Sequence, residues 1–130
     1  MSFKASFSFK GKDYRIIYYS YSCMRDLDAS GRPSSFVRGH VINLTIEATQ
    51  DTTFVSWIWM QYQVQSGTIT FFQRDSEQKL IEMKFVDAYL FDYKREFSSY
   101  GDDPFTESFK ISAKEYQMGS CDIVAEWPET

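Results

Sequence analysis

The sequence predicts a mostly-β single domain over residues 1–130 with one helix. Most of the chain alternates apolar and polar residues with a period of two, the pattern of strands with one dry and one wet face. One stretch, residues 51–62, reading Asp-Thr-Thr-Phe-Val-Ser-Trp-Ile-Trp-Met-Gln-Tyr, does not alternate. Glycine and proline punctuate the chain between the periodic runs, at Gly11, at Gly31 and Pro33, at Ser66-Gly67, and at Gly101 to Pro104.

In order, Phe3, Ala5, Phe7 and Phe9 alternate with Lys4, Ser6, Ser8 and Lys10, a first strand turned by Gly11-Lys12-Asp13. From residue 14 to 24 both parities carry bulk, Ile16 and Tyr18 on one side and Ile17, Tyr19 and Tyr21 on the other, so this second strand is expected to be covered on both faces. Residues 25–38 mix charges with Gly31 and Pro33 and read as a long exposed loop. A loop of this length is either functional or a mobile solvated connection. His40, Ile42, Leu44, Ile46 and Ala48 then alternate with Val41, Asn43, Thr45, Glu47 and Thr49, the cleanest strand in the chain.

Residues 51–62 follow as the helix. Asp51 or Thr52 is placed to cap it, and Ser66-Gly67 to break the chain after it. Phe54, Trp57, Ile58 and Gln61 share one face at helical spacing, and Val55, Trp59 and Tyr62 share another. One face can lie on the sheet. The other then needs a covering loop or, the reading preferred here, a neighbouring subunit. A fully buried strand is the alternative for so short an apolar run.

Residues 68–73 and 80–86 form an expected hairpin across the polar turn 74–79, with Ile81, Met83 and Phe85 on the dry face, although residues 76–85 also admit a helical reading. The same parity continues through Asp87, Tyr89, Phe91, Tyr93 and Phe97, which predicts one long strand with a kink or bulge near Asp87. After a turn at residues 100–104, Phe105, Phe109, Ile111 and Ala113 alternate with Thr106, Ser108, Lys110, Ser112 and Lys114. Cys121, Ile123, Ala125 and Trp127 make a last short strand ended by Pro128.

Composition bounds the function. A chain of 130 residues buries roughly two-thirds of its unfolded surface and can hold a core without staples. Aromatics at 18% require large contact areas, in that core or at an interface. The net charge of −4, with cations scattered singly, argues against nucleic acid as a partner. No run approaches the length of a membrane span, so no membrane insertion is expected, and Met-Ser-Phe-Lys-Ala-Ser at the start lacks the apolar core of a signal peptide. Folding in the cytoplasm is expected, with Cys23 and Cys121 as free thiols.

No catalytic or metal site and no cofactor is expected. His40, the one histidine, lies on the apolar parity of its strand, where packing or an interface is the ordinary role. Neither cysteine has a histidine near it in sequence, and there is no glycine-rich phosphate loop. Asp26 and Asp28 resemble the start of a calcium loop, but the glycine and terminal glutamate of that motif are not in place. Glu47 and Asp87 are a conceivable carboxylate pair that the sequence alone does not bring together.

Taken together, the segments resemble the tube-protein family of type VI secretion systems, the haemolysin-coregulated proteins (Hcp, TssD), over essentially the full length. The resemblance rests on the opening Ser-Phe-Lys-Ala with Gly11-Lys-Asp-Tyr14, on Arg25-Asp-x-Asp-x-x-Gly-Arg-Pro-Ser-Ser35, and on Gly39-His-Val-Ile-Asn-Leu-Thr-Ile-Glu47. It continues through residues 51–57, Phe85-x-Asp-Ala-Tyr89, Ile111-Ser-Ala113 and Trp127. His40 departs from the small residue common in this branch, and no lumen residue known for effector binding elsewhere is matched.

The resemblance implies a β-barrel of two sheets, roughly eight strands, with one α-helix packed alongside. It implies six copies in a ring, rings stacked into a hollow tube, and effector proteins carried in the lumen. The sheath, baseplate and spike of the apparatus are the other implied partners, and the tube leaves the cytoplasm through that apparatus without a signal peptide. Residues 25–38 resemble the ring-to-ring loop, with Arg25, Asp26, Asp28, Gly31, Arg32, Pro33 and Arg38 as its candidate stacking residues. Phe54, Val55, Trp57, Ile58, Trp59 and Tyr62 are the candidate interface residues of the helix. Two other readings compete: a small β-barrel holding an apolar ligand among Tyr18, Tyr21 and Phe91, and a carbohydrate-binding sandwich using exposed tyrosines, both monomeric.

Overall fold

A computed structural model describes residues 4–60, 63–73 and 78–124, apart from the side chain of Arg38. Seven strands and one helix follow in the order β1 (Ala5–Phe9), β2 (Lys12–Met24), β3 (Arg38–Glu47), α1 (Thr53–Trp59), β4 (Gln65–Phe72), β5 (Lys79–Phe97), β6 (Phe105–Met118) and β7 (Cys121–Val124). The strands are hydrogen-bonded in the order β3-β2-β1-β4-β5-β6-β7, and β3 also pairs with β6. That extra pairing closes β1 to β6 into a barrel, and β7 extends the edge of β6 beyond the end of β3. The mostly-β barrel with one helix beside it is thus what the alternation and the resemblance predicted. Trp127 lies outside the described residues.

The β1–β2 turn is one residue earlier than expected. Lys10 (φ 49°) and Gly11 (φ 78°) are its two central residues, both left-handed, which matches the twist of the strands they join. In β2 the register against β3 shifts between Ile16 and Tyr18. Tyr14 and Ile16 pack on the core before the shift and Tyr19 and Tyr21 after it, while Tyr18 is exposed. The bulk on both parities therefore records a bulge, not a strand covered on both faces, and the expectation of double covering does not hold within the chain.

The long strand β5 does bulge at Asp87 (φ 54°), whose N–H donates to Ser66 Oγ at 3.2 Å. The register against β4 shifts there, and it shifts again against β6 between Leu90 and Asp92. The inward residues are accordingly Met83 and Phe85, then Ala88 and Leu90, then Tyr93. The single continued parity through Asp87, Tyr89 and Phe91 is overturned by these two bulges, and Phe91 is exposed. Ile81, expected on the dry face, is exposed as well.

The barrel is filled by rings. Phe54 of α1 stacks on Phe109 with centroids 4.7 Å apart and lies 5.8 Å from Phe7, and Trp57 stacks on Phe9 at 5.2 Å. Each such fully buried side chain contributes about 1.5–3 kcal/mol. This filling answers the ligand-barrel reading: Tyr18 and Phe91 are exposed on the outside, and the Tyr21 hydroxyl lies 2.9 Å from Nδ1 of His40.

Gly67 shows how tight the filling is. A Cβ there would stand 2.8 Å from Phe7 Cε1 and 2.8 Å from Phe85 Cζ, ring atoms of two fully buried side chains that cannot swing aside. Gly67→Ala is expected to destabilise the domain by roughly 1–3 kcal/mol, read as a lowered denaturation midpoint. An unchanged midpoint would mean the two rings have room to yield.

Candidate functional site

The β2–β3 loop is a built structure. Leu27 and Pro33 form an isolated antiparallel bridge, Ser34 N–H donates to Asp26 O at 2.8 Å, and Asp28 N–H donates to Arg32 O at 2.8 Å. Gly31 (φ 86°) makes the tight reversal that no β-branched residue would accept. Asp28 Oδ1 accepts from Ser30 N at 2.9 Å, Ser30 Oγ at 2.7 Å and Arg32 N at 3.0 Å. These bonds, the Ser30 hydroxyl foremost and then the Arg32 amide, hold the Asp28 carboxyl below its ordinary range. At the base, Asp26 N–H donates to Ser35 Oγ at 2.8 Å and Arg25 Nε to Ser35 O at 3.2 Å.

Asp28, Gly31 and Pro33 thus shape the loop, Arg25 ties its base, and Arg32 is exposed. The Arg38 side chain lies outside the described residues. Sequence reasoning missed the apolar part: Leu27 is exposed and Phe36 is 78% exposed. With Val37, also exposed, they stood in plain view as the large apolar residues of a run dominated by charges and turn formers.

Helix α1 is shorter than predicted, seven residues, and Tyr62 and Gln61 lie outside the described residues. Thr52 occupies the N-cap position without a side-chain bond. Asp51 does that work from one residue earlier, accepting from Thr53 N at 2.9 Å and from the Thr53 hydroxyl. Trp57 Nε1 donates to Gln63 O at 3.1 Å and closes the other end. Of the six candidate interface residues, Phe54 and Trp57 face the core, Val55 and Ile58 are half-buried, and Trp59 is 82% exposed beside an exposed Met60. On the second face, expected to hold Val55, Trp59 and Tyr62, Val55 is half-buried and Trp59 is left exposed among the described residues.

A polar network that sequence reasoning also missed pins this helix to the barrel. Asp51 Oδ2 accepts from Lys12 Nζ at 3.0 Å and from the Tyr14 hydroxyl at 2.8 Å. Arg95 Nη2 donates to Asp51 O at 3.0 Å and to Glu107 Oε1 at 3.1 Å, and the Tyr93 hydroxyl donates to Glu107 Oε2 at 2.7 Å. Burial and these carboxylates raise both tyrosines to about 12, so they stay protonated donors. Glu107 is only 1% exposed. Its position on the dry parity of β6, between Phe105 and Phe109, was the signal available in the sequence.

The Asp51 carboxyl is held far below its ordinary range, chiefly by the Thr53 hydroxyl and then by Lys12 and Tyr14. A depressed carboxyl contributes stability above its unfolded pKa near 4 and loses it as the pH falls below that value. Asp51→Asn is therefore expected to lower the melting temperature at pH 7 and to flatten its decline in acid. An acid limb as steep as wild type would locate the acid sensitivity elsewhere.

His40 is buried and packed: the Tyr116 hydroxyl donates to His40 O at 2.9 Å while accepting from Ala113 N–H at 2.9 Å. Cys23 and Cys121 are exposed free thiols. Glu47 faces Arg15 at 3.5 Å and Asp87 sits in the bulge against Ser66, so the conceivable carboxylate pair is not assembled. Among the described residues no three His, Cys, Asp or Glu side chains are grouped to hold a metal, and no helix is long and apolar enough to cross a membrane.

The barrel with one short helix beside it is shared with proteins of known structure. A search of curated proteins returned no match. Hcp1 from Flavobacterium johnsoniae is similar at 36% identity and a TM-score of 0.88, over 94% of this chain and 99% of that one. Hcp1 from Salmonella typhimurium shares the fold at 8% identity and a TM-score of 0.71, over 89% and 85% of the two chains. A chain of the sheath-tube complex of an extracellular contractile injection system shares it at 15% identity and a TM-score of 0.62, over 90% and 88%. The family model described as hemolysin coregulated protein Hcp (TssD) matches residues 1–128. The chain therefore belongs to the Hcp (TssD) family, whose members are structural tube proteins rather than enzymes.

Proposed function

We propose that this protein is the tube subunit of a type VI secretion system, closing as a homohexamer whose rings stack into a hollow tube expelled with effector proteins in its lumen. The observation that carries the reading is Trp59, 82% exposed one turn of chain from a fully packed core. An indole left in water beside other apolar side chains marks a surface meant to be covered. Cyclic symmetry covers it in every copy and leaves no such patch over. The sheath outside the tube and the baseplate and spike at its end are the further partners. The subunit leaves the cell through the apparatus as part of the expelled tube.

Within this reading α1, with Val55, Ile58 and Trp59, belongs to the contact between neighbours in a ring, and the β2–β3 loop to the contact between rings. Light scattering on the purified protein is the direct test. A mass six times that of the chain is expected, and a monomer at micromolar concentration would sink the proposal.

A further inference from the structure

Resting on the tube reading above, we propose that the tip of the β5–β6 hairpin, residues 97–105, is the socket that receives the β2–β3 loop of a second copy in the next ring. The two features stand at opposite ends of the same strands. β3 starts at Arg38, opposite Met24 of β2, and ends at Glu47, opposite Thr106 of β6. β5 ends at Phe97, opposite Phe105. The loop therefore leaves the barrel at one end of β3 and the hairpin tip at the other, roughly 30 Å apart at about 3.3 Å per residue. A contact between two different patches of one subunit is head-to-tail, and at opposite ends of the barrel it propagates as an open stack.

The two surfaces match in chemistry. The tip exposes Phe97, Phe105 and Tyr100, the last 85% exposed. Phe97 and Phe105 meet edge-on with centroids 5.8 Å apart, and the Arg95 guanidinium lies 5.6 Å from the Phe105 ring. Ser98 N–H donates to Pro104 O at 2.7 Å, and Arg15 holds Asp103 at 2.8 Å, so the tip is ordered before anything binds. Opposite it, the loop presents Leu27, in the bridge to Pro33 beside the Asp28 turn, and the exposed Phe36.

The charges agree in sign. Residues 97–105 contain no base and two acids, Asp103 held by Arg15 and Asp102 left to face a partner, whereas residues 25–38 contain Arg25, Arg32 and Arg38 against two acids, of which Asp28 is turned to its own backbone. Apolar groups meet at the centre and arginine meets carboxylate at the rim. Order on both sides lowers the cost of association, and the charge pattern fixes its direction.

Disulfide trapping tests the assignment in a Cys23→Ser, Cys121→Ser background carrying Leu27→Cys and Tyr100→Cys. Within one copy the two new thiols are far beyond the roughly 7 Å between Cα atoms that a disulfide can span, so every bond must join two copies. Oxidation of concentrated protein is expected to give a ladder of linked chains in denaturing gels, absent from either single variant. Stacked rings seen by negative stain without a ladder would overturn the socket and leave the tube reading standing. A wild-type protein that forms no rings would overturn both.

Charge reversal covers the case in which the cysteines themselves block stacking. Arg32→Glu is expected to abolish stacking of intact rings, and mixing it with Asp102→Arg to restore it. Stacking that survives Arg32→Glu unchanged would also overturn the socket.

Discussion

Replacing Trp57 by alanine is expected to destabilise the fold by roughly 3–5 kcal/mol, whereas the same change at Trp59, two residues on, leaves the melting of the isolated subunit within about 1 kcal/mol of wild type. The contrast comes from placement. Trp57 is 3% exposed, stacked on Phe9 and bonded through Nε1 to Gln63 O, so its loss opens a large cavity under the helix and leaves the Gln63 carbonyl without that donor. Trp59 has nothing comparable among the described residues and is 82% exposed. Its removal is expected to act on assembly, reducing the hexamer mass to that of smaller species at the same concentration. Equal losses of subunit stability in both variants would show that Trp59 packs on its own chain, and a hexamer untouched by Trp59→Ala would remove the helix from the ring contact.

The helix shows how far the sequence reached. Its two apolar faces were legible because Phe54 and Trp57, three apart, share one side of a helix and Trp59, two residues on from Trp57, cannot join them. Its length was not, because the chain leaves the helix at Met60 through a bond from its N–H to Trp57 O that no residue type announces. The strands divide in the same way. Alternation located β1, β3 and β6 as far as Ala113 because each keeps one parity across those inward residues; beyond it Tyr116 turns inward on the other parity. It misread β2 and β5 because a bulge adds one residue and exchanges the faces beyond it, and in β2 that exchange imitates a strand with two dry faces.

The loop was recognised by composition, but its apolar residues were read past, since charges dominated the window. What makes it a built surface is the Asp28 turn together with the Leu27–Pro33 bridge, which orders the backbone that carries Leu27. Side-chain bonds to the backbone of this kind are short-range and specific, and they are the part of a loop that residue types alone do not fix.

Glu107→Ala is the second large effect expected. Its carboxylate is 1% exposed, accepts from Tyr93 and Arg95, and sits among Phe105, Phe109 and the start of α1. Removing the buried carboxylate leaves the Tyr93 hydroxyl without its acceptor and the partly exposed Arg95 without its counter-ion, a loss of roughly 1–3 kcal/mol. Because Arg95 also holds Asp51 O, the loss should spread to the helix, loosening the face that carries Trp59. Glu107→Gln separates the causes. It keeps the volume and an acceptor for Tyr93 but removes the charge facing Arg95, and is expected to recover part of the stability. Amide exchange on α1 is the measurement that discriminates: faster exchange there in both variants supports Glu107 as the anchor of the helix, and protection equal to wild type in Glu107→Ala would confine its role to the barrel wall.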